Sequence, residues 1–287
     1  MKTAIRIDSH QHFWQYNKQE FDWLDVSMAP LQRDFLPTDL KPSLETQKMD
    51  GCVAVQARQT YEETLWLLSL ADQYPWIKGV VGWIDLRAND LADQLNELKK
   101  YTALKGFRHV LQGEAEPEFM LAKDFLAGLQ MIAERGYCYD ILVTQDQLPE
   151  VIKLVDRLPI MPLVIDHLAK PLIKEGRHSM SGKTAWHDWC HHMDSLSQLE
   201  HVHCKLSGMV TEADWQSWTA EQLFPYFEKV IDCFGPERVM FGSDWPVCQV
   251  AASYQQVVSL TECALEALCP ESKNQIMGSN ASKFYSL

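Results

Sequence analysis

The strongest constraint on the fold of this chain is a set of eight short β-rich runs, spaced along almost all of its 287 residues. The runs cover residues 4–9, 52–57, 79–86, 104–110, 137–143, 163–167, 202–206 and 239–243. Several segments between them have helical spacing of apolar residues, as at Leu91, Leu95 and Leu98. Strands that alternate with helices pair in parallel through crossover connections. Eight of them in a chain of this length predict an α/β fold of the closed (β/α)₈ barrel type.

The domain organisation follows from what the sequence lacks. It has no internal repeat and no low-complexity tract, and its 13 glycines and 13 prolines are scattered rather than gathered into a linker. A (β/α)₈ barrel commonly needs about 250 residues, so one barrel accounts for the whole length. We therefore predict a single domain, residues 1–287.

The charge of the chain bears on its partners. Its 26 Lys and Arg against 39 Asp and Glu give a net charge of −13, which repels phosphate backbones and anionic lipid. We therefore expect no nucleic acid and no membrane among its partners. An anionic small molecule is not excluded by this argument, because a local arginine or a metal ion can override the global field.

The location of the protein is predicted from similar features. No stretch approaches the roughly 18 apolar residues of a membrane span, and Arg6 and Asp8 interrupt the N-terminus before a signal-peptide core could form. The eight cysteines form no C-x-x-C motif, and several lie in apolar runs, as buried thiols do in a reducing compartment. These features predict a cytoplasmic protein.

The first β-rich run ends in two histidines. His10 and His12 lie two residues apart, so in a strand their side chains point to the same face. Two imidazoles at this spacing can bind one metal ion or one carbonyl oxygen. The same alternation predicts that Arg6 and Asp8 also point into the barrel, where they would need partners.

Two further polar residues follow apolar runs at distant points of the chain. His167 ends the sixth run, and Asp244 follows the eighth. Active sites of (β/α)₈ barrels lie at the C-terminal ends of the strands, so these residues would meet the two N-terminal histidines at one mouth. A carboxylate there suits a general base that takes a proton from water and returns it to a leaving oxygen.

Other strand ends supply candidates for binding a substrate. Arg108 and His109 alternate in direction, and we predict that Arg108 points inward as a donor to a substrate oxygen. Gln56 ends the second run and is a further candidate contact. Trp83 follows the third run and Trp14 follows the first, and both are candidates for walls of the pocket.

Six segments, in order along almost the whole chain, share their pattern with one known family. They are residues 8–14 (DSHQHFW), 79–86 (GVVGWIDL), 105–109 (KGFRH), 166–171 (DHLAKP), 205–208 (KLSG) and 241–246 (FGSDWP). Together they resemble the amidohydrolase superfamily. More narrowly, they resemble its branch of sugar-lactone hydrolases, of the L-fuconolactonase and L-rhamnonolactonase type.

The resemblance implies a barrel that hydrolyses the ester bond of a lactone. It implies that His10, His12, His167 and Asp244 are the positions that hold metal in metal-dependent relatives. The fifth run carries Asp140 instead of the lysine or glutamate that bridges two metals, so we expect one divalent ion, zinc being favoured, or none. A mechanism without metal stays open, because a lactonase relative is thought to polarise its carbonyl with histidines alone.

The mechanism expected from this resemblance gives each residue a role. The three histidines polarise the lactone carbonyl, either directly or through the ion, and Asp244 takes the proton of the attacking water. Five residues are expected to contact the substrate, namely Arg108, Lys170, Trp14, Trp83 and Gln56. The partner is thus a small sugar lactone, and the sequence does not specify which one.

Two alternative activities are compatible with the sequence. His187 and His191 form an H-D-x-x-H pattern close to that of zinc peptidases, although the aspartate is shorter than the usual glutamate base. Related amidohydrolases also remove carboxyl groups from aromatic acids without oxidation, using the same histidine pair and aspartate. A binding protein without catalysis is a further alternative, disfavoured by the number of converging titratable groups.

Overall fold

In the computed structural model, which describes residues 4–116 and 118–287, eight parallel strands form one sheet in chain order. The strands are β1 (Ile7–Gln11), β2 (Gly51–Val55), β3 (Ile77–Gly82), β4 (Leu104–Val110), β5 (Cys138–Leu142), β6 (Leu163–Ile165), β7 (Val202–Leu206) and β8 (Val239–Phe241). The predicted (β/α)₈ barrel is confirmed. The predicted domain, residues 1–287, also contains residues 1–3 and 117, which lie outside the described residues.

The barrel closes between its first and last strands. The backbone N–H of Asp244 donates to the carbonyl of His10 at 2.8 Å, and the N–H of His12 donates to the carbonyl of Trp245 at 2.6 Å. These bonds lie just beyond the C-terminal end of β8. The closure therefore fixes the first-strand histidines directly beside the eighth-strand aspartate.

Most of the described helices lie on the outside of the sheet, while the last of them packs against the interior of the barrel. They are α1 (Pro37–Thr46), α2 (Tyr61–Gln73), α3 (Leu91–Leu98), α4 (Lys123–Glu134), α5 (Leu148–Arg157), α6 (Met180–Ser197), α7 (Met209–Glu212), α8 (Ala220–Phe234), α9 (Tyr254–Ala264), α10 (Pro270–Asn274) and α11 (Asn280–Phe284). The predicted stripe of Leu91, Leu95 and Leu98 is the buried face of α3. None of these helices is both long enough and apolar enough to cross a bilayer.

The apolar core has two parts. The larger part fills the space between the sheet and the helices. The smaller part lies inside the barrel, where Ile7, Val53, Val81 and Met240 pack with Tyr285, just after α11. The end of the chain thus closes the floor of the barrel, opposite the C-terminal ends of the strands.

The first strand departs from simple alternation. Its register against β2 shifts between Asp8 and Gln11, and Ile7 belongs to the interior cluster. The prediction that Arg6 and Asp8 point into the barrel is therefore wrong. Arg6 pairs with Glu262 near the surface at 2.8 Å, and the buried Asp8 accepts the backbone N–H groups of His10 and Ser243.

Candidate active site

Three histidines and one aspartate meet at the C-terminal ends of β1, β6 and β8. Oδ1 of Asp244 lies 3.4 Å from Nε2 of His12, 3.9 Å from Nε2 of His167 and 4.0 Å from Nε2 of His10. His10 is fully buried, and the other three side chains are only slightly exposed. The structure therefore brings together all four residues that the sequence singled out for catalysis or metal binding.

The backbone that presents His167 has an unusual conformation. Four consecutive residues after β6, His167 to Lys170, have φ between 49° and 59°, and none of them is glycine. Left-handed backbone costs about 1–2 kcal/mol for each such residue, so the surrounding structure must hold this turn in place. Gly208 makes room for it, since a Cβ there would lie 2.7 Å from Cγ of His167.

An open cavity of about 520 Å³ lies above the four residues. Its lining includes three of them together with Trp14, Arg108 and Lys170, as the sequence predicted, and a set of residues from the surrounding loops. The loop residues include Glu20, Asp22, Trp23, Arg58, Gln59, Thr60 and Gln112. The cavity has the size and mixed lining of a small-molecule site.

Two predicted substrate contacts do not line this cavity as the structure describes it. Gln56 is fully buried, and its side-chain Nε2 donates to the backbone carbonyl of Arg108 at 3.3 Å. Trp83 donates from Nε1 to Nδ1 of His109 at 3.2 Å. Both side chains therefore support the wall of the barrel, and we do not assign them a contact with substrate.

A layer of buried charges lies below the cavity. Nζ of Lys205 lies 3.1 Å from Nδ1 of His10, 3.0 Å from Asp166 and 2.5 Å from Asp140. Arg108 reaches the same Asp166 at 3.1 Å. We call Arg108, Asp140, Asp166 and Lys205 the buried charge layer. It holds His10 from behind, so Asp140 has a structural partner rather than a place in the cavity.

The sequence contains a signal for this layer, namely a charged residue inside an apolar strand. Lys205 stands inside an apolar strand just as Asp140 does, and a charge in such a run needs a partner. The loop residues Arg58 and Gln59 were missed for another reason. They follow the end of β2 by a few residues, and the strand pattern stops before them.

Burial and neighbours shift the titration of these groups in different directions. Burial lowers the pKa of His167 to about 4 and the pKa of His10 well below its usual value, so both rings are neutral at neutral pH. Burial alone would raise the pKa of Asp244, but the neighbouring His167 and His12 outweigh it and hold that pKa below its usual range. For Lys205, burial alone would lower the pKa, but the charges of Asp140 and Asp166 outweigh burial and raise the pKa above its usual value.

His10, His12 and Asp244 fit a single divalent cation, because their ligand atoms all lie within 4.8 Å of one another, and His167 lies beside them. Nδ1 of His12 lies 2.8 Å from the carbonyl of Val55 and donates to it, so Nε2 is the nitrogen of this ring that faces the cluster. Ligand atoms around a tetrahedral zinc ion are about 3.3 Å apart, and Nε2 of His12 lies 3.2 Å from Nε2 of His10 and 3.4 Å from Oδ1 of Asp244. Nδ1 of His167 is hydrogen-bonded to Oγ of Ser207 at 2.8 Å, and this contact fixes the orientation of the His167 ring.

The alternative metal site does not form. His187 and His191 lie on α6 with both side chains exposed, and no third ligand joins them among the residues that the structure describes. A zinc ion needs at least three protein ligands even in an open catalytic site. The peptidase interpretation of the H-D-x-x-H pattern is therefore wrong.

Comparison with known proteins agrees with this geometry. The chain is 42% identical, over 99% of its length and 97% of the relative's, to an L-fucono-1,5-lactonase of Burkholderia multivorans. It is 33% identical, over 98% of its length and 96% of the relative's, to an L-fucono-1,5-lactonase of Burkholderia ambifaria.

A solved structure extends the comparison to three dimensions. The crystal structure of an amidohydrolase from Burkholderia multivorans with bound zinc superposes with a TM-score of 0.94 at 42% identity, covering 99% of this chain and all of the other. The family model for amidohydrolases matches residues 7–287. The chain therefore belongs to the amidohydrolase family.

Proposed function

We propose that this protein hydrolyses a sugar lactone, an aldonolactone of the L-fucono-1,5-lactone kind, to the open sugar acid. The observation that carries the proposal is the meeting of Asp244 with His12 and His167 at the floor of an open cavity. Two relatives that share 42% and 33% of their residues with this chain are both L-fucono-1,5-lactonases. This favours lactone hydrolysis over decarboxylation of an aromatic acid.

Asp244 is the proposed base. Its carboxylate is ionised at neutral pH, as acceptance of a proton requires, and it lies at the cavity floor within reach of a water molecule there. It takes the proton of the attacking water and returns it to the ring oxygen when the tetrahedral intermediate collapses. Because the same group serves both steps, its removal affects attack and ring opening together.

The histidines are proposed to bind the cation that polarises the carbonyl. His10, His12, His167 and Asp244 would hold one divalent ion, and such an ion acts as a Lewis acid and lowers the pKa of water. When the ring of His12 carries one proton, that proton is on Nδ1, where it binds the carbonyl of Val55, so Nε2 can bind a cation but cannot donate to a substrate carbonyl. This is why we favour the cation.

The remaining cavity residues are proposed to orient the sugar. Trp14 offers an aromatic face to the C–H surface of the ring, and Arg108 and Lys170 offer donors to its oxygens. Two of the Arg108 nitrogens already bind the barrel, so its position is fixed before substrate arrives. A fixed donor loses little conformational entropy on binding.

A substrate panel tests the proposal. Sugar lactones are assayed with a pH indicator, after subtraction of spontaneous hydrolysis, and aromatic acids are assayed by carbon dioxide release on the same metal-analysed sample. We expect acid release from at least one aldonolactone and no carbon dioxide. Carbon dioxide release without lactone hydrolysis would replace this proposal with decarboxylation.

A further inference from the structure

The cations that line the cavity are all held by carboxylates of the protein itself. Arg58 pairs with Glu20 and with the buried Glu63, and Arg108 pairs with Asp166 at 3.1 Å. The third cation is Lys170, considered below. Within residues 4–116 and 118–287, the cavity therefore offers no cation without a counter-charge.

The loop that carries Arg58 is fixed by one of these carboxylates. Glu63 accepts the backbone N–H groups of Ala57 at 2.8 Å and Arg58 at 2.7 Å, and also Nε of the Arg58 side chain at 3.2 Å. The guanidinium thus enters the cavity in a set orientation. Glu20 then binds Nη1 from the outer side, where half of its own side chain is exposed.

Lys170 is neutralised in a similar way. Its Nζ lies 3.5 Å from Glu212 at the end of α7, and both side chains are about one-quarter exposed. The lysine stands at the end of the left-handed turn, so its backbone is held as firmly as that of His167. Glu212 has no other cation among its described contacts, and its position beside the cavity serves Lys170.

The side chains around the cavity are therefore net negative, because six carboxylates face three cations, and one divalent ion at the cluster does not reverse the balance. Asp22 and Asp244 add two carboxylates to the lining, while His10 and His167 are neutral. An uncharged ligand meets hydrogen-bond donors that are already oriented. A ligand with its own carboxylate meets like charges and must displace Glu20 or Glu212 to reach a cation, which costs affinity.

We propose that Glu20 and Glu212 are specificity-determining residues that restrict this site to uncharged lactones, by holding Arg58 and Lys170 away from any carboxylate of the substrate. This inference rests on the proposed lactonase function and narrows its substrate class.

A matched pair of substrates tests the proposal. L-Galactono-1,4-lactone and L-galactaro-1,4-lactone have the same ring and differ only in a carboxylate at C6. We expect the wild-type protein to prefer the uncharged lactone by about 100-fold in kcat/KM, and Glu212→Gln and Glu20→Gln each to reduce this preference about tenfold. Glu45→Gln, at a surface pair with Lys41, makes the same change of net charge away from the cavity and should leave the preference unchanged.

A binding measurement separates this proposal from the proposed function. Citrate and L-fucose are titrated against metal-free preparations of the same proteins, so that citrate has no cation to chelate, and the tryptophan fluorescence is followed. If the wild type hydrolyses neither lactone but citrate binding still rises about tenfold in the two variants, the charge selection stands and the lactonase proposal fails. Equal activity of the wild type on both lactones, or variants with the wild-type preference and the wild-type citrate binding, would overturn the selection.

Discussion

The cavity floor and the buried charge layer below it are both polar and both inside the barrel, yet they are built differently. At the floor, His12, His167 and Asp244 face an open space and have no lysine or arginine paired with them in the described structure. In the layer, Lys205 is enclosed and bound to Asp140 and Asp166, and Arg108 connects Asp166 to the cavity lining. Burial alone therefore does not mark a reacting group. The groups proposed to react face the cavity with unpaired ring nitrogens or carboxylate oxygens, whereas Lys205, Asp140 and Asp166 are paired with one another.

The largest effect is expected at the cavity floor, and it concerns the rate of hydrolysis. Asp244→Asn removes the proposed base while keeping nearly the same shape, and should lower kcat for lactone hydrolysis by about 10³-fold. Asp22→Asn is the matched control, because Asp22 also lines the cavity but is exposed at its rim. Initial rates for both variants, with folding checked by circular dichroism, decide the point. Near-wild-type activity of Asp244→Asn would exclude it as the base.

The next effect is expected in the layer, and it concerns stability. Lys205→Met leaves two buried aspartates without their lysine and should lower the free energy of unfolding by about 3–5 kcal/mol. Urea denaturation measures this loss. Lys229→Met, which breaks a half-exposed pair with Asp194, should cost less than about 1 kcal/mol.

A double variant separates the lost pairing from lost packing. Lys205→Met combined with Asp140→Leu removes both members of the closest pair and should recover part of the stability lost in the single variant. Equal losses for Lys205→Met and Lys229→Met would show that the buried layer is no more costly to break than a surface pair.

A smaller effect, again on stability, is expected at His203 in β7, at the end of the barrel opposite the cavity. His203 packs on Phe284, its Nδ1 has no hydrogen-bond partner among the described residues, and burial lowers its pKa to about 4. Because the folded state favours the neutral ring, stability is full above pH 6.5 and falls as the pH drops from about 6.5 toward 4. This residue alone should cost up to about 2 kcal/mol between pH 7.5 and pH 5.

His203→Phe should therefore flatten the acid side of the stability curve, measured by urea denaturation at a series of pH values. The curve will keep some slope, since His10 and His167 are also buried as neutral rings. His187→Phe, on the exposed face of α6, serves as the control and should leave the slope as it is. A slope unaffected by His203→Phe would mean that His203 binds a proton equally well in the folded and the unfolded state.

Much of the barrel was predictable because its strands are apolar, short and regularly interrupted. The clustered residues His10, His12, His167 and Asp244 could be found because each stands where an apolar run ends. Their convergence follows from the closure of a parallel barrel, which places the C-terminal ends of all strands at one mouth.

The failures have physical reasons as well. Alternation along β1 gave the wrong direction for Asp8, because a register shift against β2 has no signature in the sequence. Trp83 was assigned to the pocket because it follows a strand, yet its indole finds a partner in His109. Glu20 and Glu212 lie in irregular or short segments, where no periodicity indicates which way a side chain points.

The left-handed turn from His167 to Lys170 couples the positions of two cavity residues. These residues would relax to ordinary backbone if the neighbouring segment around Gly208 withdrew, and the ring of His167 and the amine of Lys170 would leave the cavity together. The roles proposed for His167 and Lys170 therefore depend on one structural element, and a substitution that disturbs this turn is expected to weaken both together.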